Sequence, residues 1–176
     1  MKKFFTNIKP FFIRLTSKKE EILGKYLIRN GYTISTTESC TGGLLSSYLT
    51  DVSGSSSYTT LNLVTYANEA KHKMLGVSSE TLENFGAVSE QCALEMAEGL
   101  YKLTKSDICI STTGIAGPTG GTELKPVGLM YSAIFMKNKN TVYKILVDSN
   151  TPRVEMKRAF VQKVLENLYE LLNLKN

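Results

Sequence analysis

Thr37-Glu38-Ser39-Cys40-Thr41-Gly42-Gly43 sets a hydroxyl and a thiol side by side in a stretch of small residues. The run before it, Tyr32 to Thr37, is β-branched and alternating, and the run after it, Leu44 to Leu49, has helical spacing. A strand should therefore end near Glu38 and a helix begin within the next few residues. The free N–H groups of a helix start stabilise an anion or a developing oxyanion, and Gly42 and Gly43 let the backbone approach a ligand closely. Ser39 or Cys40 at that point could act as a nucleophile in acyl chemistry. A plain helix cap fits the same pattern.

Two other stretches carry chemistry-bearing residues just after a predicted strand. Leu61 to Tyr66 reads as a strand, and the helix Asn68 to Leu75 that follows has Asn68 as N-cap and Lys71 at its third position. The helix dipole and burial would lower the pKa of Lys71 toward that of a general base, while Glu69 opposes this, so the sign stays open. An exposed helix lysine is the alternative. His72 lies about 100° further round that helix and is placed on the surface. The third stretch, Gly114-Ile-Ala-Gly117-Pro118-Thr119-Gly120-Gly121-Thr122, has four glycines in nine residues. It forms a nest of backbone N–H groups suited to an anion, and it is not G-x-G-x-x-G.

The elements that must position these turns follow from periodicity. A helix with the stripe Ile22, Leu23, Tyr26 and Leu27 stops at Asn30-Gly31. Asp51 to Ser57 reads as a polar loop, with no lysine to make it a P-loop. A short helix opens at Ser78-Ser79-Glu80. A longer one, capped by Ser89, turns Cys92, Met96, Leu100 and Leu103 inward. Ile108 to Thr113 is a third strand with Cys109 in the core. Leu129 to Phe135 and Thr141 to Val147 form an antiparallel hairpin about a Lys137–Asn140 turn. A last helix from Arg153 carries Met156, Phe160, Val164, Leu168 and Leu171 in register. The expected fold class is α/β: a mixed, about five-stranded sheet with helices on both faces and a C-terminal antiparallel hairpin. Ligands in such sheets bind beyond the strand carboxyl ends, where all three turns fall.

Bulk properties narrow the function. The 176 residues suit one domain with a sizeable core, and the net charge of +5 suits an anionic small molecule. Three scattered cysteines lack metal-ligand spacing and argue for a reducing compartment. A single histidine argues against a zinc site and a Ser-His-Asp triad. No apolar run reaches the roughly 20 residues of a membrane span, and the lysines lack the interleaved aromatics of a nucleic-acid groove. Residues 1–17 are a basic, aromatic extension, interrupted by Pro10, that reads as a segment packing on the domain formed by 18–176 or on a partner.

Taken together, E-S-C-T-G-G (Glu38–Gly43), Y-A-N-E-A-K (Tyr66–Lys71), G-A-V-S-E (Gly86–Glu90), G-I-A-G-P-T-G-G (Gly114–Gly121) and K-P-V-G (Lys125–Gly128) resemble the CinA C-terminal domain family, the nicotinamide-nucleotide amidohydrolases, in its stand-alone form. The resemblance implies a three-layer α/β/α sandwich. It also implies hydrolysis of the carboxamide of nicotinamide mononucleotide to nicotinate mononucleotide and ammonia, without metal or other cofactor. By that resemblance Ser39 is the nucleophile, Lys71 the base and Tyr66 an aid to the proton relay. N–H groups from Cys40 to Gly42 would face the oxyanion. Glu38, Cys40, Thr41, Gly42, Gly43, Thr113, Gly114, Gly117, Gly120 and Gly121 are implied substrate contacts, with Lys125 and Arg153 for the phosphate. The family's Gly-Asp-Arg is Thr151-Pro152-Arg153 here. The resemblance further implies a cytoplasmic homo-oligomer such as a dimer, with no nucleic-acid or membrane partner. The family name offers a second function, a catalytically silent interaction module linked to competence and DNA damage.

Overall fold

The computed structural model describes residues 18–136 and 139–174. The N-terminal extension and two residues of the Lys137–Asn140 turn lie outside them. In chain order the elements are α1 (Lys18–Asn30), β1 (Ile34–Glu38), α2 (Leu44–Thr50), a short 3-10 turn (Ser55–Ser57), β2 (Thr59–Val64), α3 (Asn68–Leu75), α4 (Ser79–Asn84), α5 (Glu90–Thr104), β3 (Ile108–Gly114), β4 (Leu129–Met136), β5 (Lys139–Leu146) and α6 (Arg153–Leu171). The sheet order is β2-β1-β3-β4-β5. The first three strands are parallel, and β4 and β5 run antiparallel to their neighbours.

Alternation along β3 divides the core. Ile108 and Ile110 join the face covered by α1, α2 and α6, where Leu27, Leu45, Phe160 and Val164 pack. Cys109 points to the other face, against Cys92, Met96 and Leu100 of α5 and Leu75 of α3. β1 is the central parallel strand and is buried along its whole length despite reading Ile-Ser-Thr-Thr-Glu. Buried hydroxyls need partners, and these have them. Ser35 meets Ser106, Thr36 meets Ser46 and Asn62, and Thr37 meets Thr65.

Register then fixes the site. Glu38 stands opposite Val64 on one side and Thr112 on the other, so Ser39, Thr65 and Thr113 stand at one level, where β1 and β2 leave the sheet. The Ser39 N–H donates to the Thr112 carbonyl and the Thr65 N–H to the Glu38 carbonyl, which prolongs the ladder to the turn itself.

Three expectations need correction. Leu103 is 53% exposed rather than inward. The buried stripe of α5 runs through residues 92–93, 96–97 and 99–100, and Thr104 then turns back to the Leu100 carbonyl. The N-cap of α3 is Ala67, not Asn68. Ala67 is extended, and its carbonyl takes the first helical bond, from Lys71 N–H, which moves Lys71 one position further into the helix. β5 begins at Lys139, two residues before the expected Thr141. His72 is on the surface as expected, its Nδ1 2.7 Å from the Val77 carbonyl oxygen.

Gly99 lets α3 close on α5: a Cβ there would lie 1.9 Å from the Leu75 carbonyl oxygen. Glycine inside a helix normally costs about 1 kcal/mol against alanine, so alanine would stabilise if space allowed. Here overlap with backbone reverses the sign. Gly99→Ala should destabilise by about 1–3 kcal/mol or more, read from urea denaturation. An unchanged midpoint would contradict this packing.

Candidate active site

Ser39 is the first residue past β1. Its Oγ lies 3.2 Å from the Nζ of Lys71, which reaches it from α3. Lys71 is 1% exposed, and the same Nζ donates to the carbonyls of Thr65 at 2.8 Å and Tyr66 at 3.1 Å. Burial holds the Lys71 pKa below its ordinary 10.5, outweighing the buried thiols Cys92 and Cys40, whose ionised forms would raise it. In the structure the Nζ donates to Ser39 Oγ as well. On giving up one proton the amine would keep two N–H groups for the carbonyls and turn its lone pair to the serine hydroxyl.

Glu38 corrects an expectation. It is fully buried and does not border the cleft. Its carboxylate accepts from the N–H groups of Gly43, Leu45 and Ser46 and from the Ser46 hydroxyl. The N-terminus of α2 is therefore occupied by a side chain and is not open to substrate. The Gly42 N–H is occupied too, donating to the Ser39 carbonyl at 3.1 Å. The amides of Cys40 and Thr41 remain, without a carbonyl partner among the described residues.

Cys40 borders the same cleft, but its thiol is pushed up to about 12, first by burial and then by the nearby Glu38 carboxylate. Of the two adjacent nucleophiles, only Ser39 has a base against it.

The cleft, about 280 Å³, is lined by Ala87, Val88 and Thr113 and by Tyr66, Asn68 and Arg153. Gly114, Gly117, Thr119 and Gly120 also line it, from a loop with a cis Gly117–Pro118 peptide. The Thr113 hydroxyl donates to the Ala87 carbonyl at 2.7 Å, tying β3 to the turn before α5. Arg153, the first residue of α6, spans the mouth. It donates to the Gly117 carbonyl at 2.6 Å and to the Tyr66 hydroxyl at 3.1 Å. The Thr-Pro flank has left it at the site.

Several expected contacts fall elsewhere. The Tyr66 hydroxyl is 3.1 Å from Arg153 and, among the described residues, bonds neither Ser39 nor Lys71. Tyr66 reaches Lys71 through its carbonyl instead. Lys125 donates to the Phe85 carbonyl and does not line the cleft. Thr41 is buried with its hydroxyl 2.8 Å from that of Thr112. Gly43 is bound to Glu38, and Gly121 packs on Val127, where a Cβ would lie 2.7 Å from the Val127 nitrogen. The sequence reading missed Asn68, Ala87 and Val88 as cleft residues. The Gly86–Glu90 motif was the available signal for two of them. Among the described residues no group of three His, Cys, Asp or Glu side chains could share a metal ion.

Comparison with known proteins places this geometry. Residues 16–172 match the family described as CinA C-terminal domain. A CinA-like protein of Thermotoga neapolitana is 45% identical over 154 residues, 87% of this chain and 38% of that protein. The chain spans about a third of the length of the curated relatives it matches. The crystal structure of competence/damage inducible protein CihA from Agrobacterium tumefaciens superposes with a TM-score of 0.82 at 40% identity, over 90% of this chain and 99% of that one. That of the competence damage-inducible protein A from Klebsiella pneumoniae gives 0.84 at 30% identity, over 90% and 98%.

A thiol held this high is almost wholly protonated at neutral pH. Iodoacetamide at pH 8 should therefore label Cys40 in the folded protein at least about 100-fold more slowly than a free cysteine, by mass spectrometry of digested protein. Labelling at the free-thiol rate would contradict the assigned environment.

Proposed function

The chain belongs to the CinA C-terminal domain family, and from that premise we propose that it hydrolyses the carboxamide of nicotinamide mononucleotide to nicotinate mononucleotide and ammonia. The observation that carries the reading is the buried Lys71 amine 3.2 Å from the Ser39 hydroxyl. A desolvated lysine can take a serine proton without histidine. In this reaction Ser39 Oγ attacks the carboxamide carbon as its proton passes to Lys71. The oxyanion faces the amides of Cys40 and Thr41, the donors still free of carbonyl partners among the described residues. Lys71 returns the proton to the departing nitrogen, leaving an ester on Ser39. Water then attacks that ester with Lys71 again taking the proton, which it returns to Ser39 Oγ as the acid leaves.

Tyr66 acts here through its carbonyl, which orients Lys71, and through its hydroxyl, which holds Arg153. Arg153 is the phosphate ligand of this reading, since its planar fork can grip two phosphate oxygens. The alternative of a silent interaction module rests on the relatives' names, whereas a buried lysine against a serine has no use in a docking surface.

Ser39→Ala should fold normally and lose at least about 10³-fold in kcat, as nucleophile removal does elsewhere, read as ammonia release. Near-full turnover would overturn the assignment. The same assay should favour the mononucleotide over its riboside by roughly ten- to a hundred-fold, the value of about 1.5–3 kcal/mol for a charge-assisted contact. Arg153→Ala should raise KM for the mononucleotide and leave the riboside little changed. Equal efficiency of wild-type protein on both substrates would remove the phosphate contact.

A further inference from the structure

Arg153 and Lys157 are four residues apart and so share one face of α6. Arg153 opens the helix at the cleft mouth. Lys157 extends from the next turn to the loop that carries Ser39: a Cβ on Gly42 would lie 3.2 Å from its Nζ. Gly42 has φ +63°, a conformation that favours glycine, and its bare Cα leaves that space to the ammonium.

Among the described residues no carboxylate is paired with either cation. Lys157 is half-buried, and among the described residues it has no hydrogen-bond acceptor and no carboxylate within 4 Å. Glu155, the acid of the first turn, is taken by Arg158 at 2.6 Å. Arg153 is bound to a carbonyl and a hydroxyl, which leave its charge uncompensated. Like charges at i and i+4 repel, and Arg153, at the first helical position, also meets the positive end of the helix dipole. Two such cations on one helix face, Arg153 at the Gly117 loop and Lys157 at the Gly42 turn, are arranged for an anion between them. Lys125 is excluded by its bond to the Phe85 carbonyl.

We propose that Lys157 is the second cation of the phosphate site, so that Arg153 and Lys157 together seat a phosphate monoester between the mouth of the cleft and the Ser39–Gly42 turn. The inference rests on the reading of the cleft as the site of a phosphate-bearing substrate, and it makes Lys157 a specificity-determining residue. Arg153 supplies the planar fork, and Lys157 a point charge with three rotatable donors.

Calorimetric titration with inorganic phosphate and with ribose 5-phosphate tests the seat apart from any chemistry. Lys157→Met keeps the length of the side chain without its charge, and Lys157→Gln is a second variant should the first fold poorly. Either should weaken ribose 5-phosphate binding about ten-fold or more, and Lys157→Arg should restore most of it. Arg158→Met, which removes one charge from the same helix, should change it less than two-fold. In turnover, Lys157→Met should raise KM for the mononucleotide with riboside turnover unchanged. Absence of deamidation with phosphate binding lost in Lys157→Met would overturn the proposed reaction but keep the seat. Three results would overturn the seat: wild-type affinity in both neutral variants, an equal loss in Arg158→Met, or no phosphate binding by the unaltered protein at millimolar concentration.

Discussion

Burial of Lys71 is the constraint on which the rest of the site depends. An ammonium removed from water is costly unless it is paired, and among the described residues no carboxylate is paired with this one. Its partners are the Thr65 and Tyr66 carbonyls and the Ser39 hydroxyl. Each of those atoms is delivered by the sheet. Thr65 and Tyr66 follow β2, Ser39 follows β1, and the β1–β2 register sets them level. Gly99 brings α3 down onto α5, which carries the lysine into the core. Packing of an ordinary helix pair thereby becomes a chemical property of one amine.

The second charged group works in the opposite way. Glu38 is buried as fully as Lys71, and it is satisfied by the N–H groups at the start of α2. A carboxylate there complements the helix dipole, and it stiffens the turn from both sides. Burial holds the neighbouring thiol protonated, and the Glu38 charge adds to that. Glu38 and Lys71 thus give two adjacent side chains different surroundings: the serine hydroxyl meets an amine, and the cysteine has burial and a negative charge.

Much of this was legible in the sequence, for physical reasons that differ by element. The strands and helices follow from periodicity, and Ser39, Tyr66 and Gly114, read at or just past strand ends, line one cleft in the structure. Other features depend on tertiary contacts that no local pattern carries. β1 alternates like a half-buried strand, yet hydroxyl pairing with Ser106, Asn62 and Thr65 lets it be buried throughout. The sign of the Lys71 shift needed the degree of burial, and the role of Glu38 needed the path of α2. Lys125 and Lys157 are indistinguishable as letters. The fold gives one a carbonyl and leaves the other beside the Ser39 loop.

The central claim is that folding makes Lys71 a base poised against Ser39. The most direct measurement is the titration of its Nζ by nitrogen-detected NMR, with Lys71→Arg used to assign the signal. This account predicts a midpoint below the ordinary lysine value of 10.5 and loss of the downward shift on urea unfolding. A midpoint at or above that value in the folded protein would contradict it.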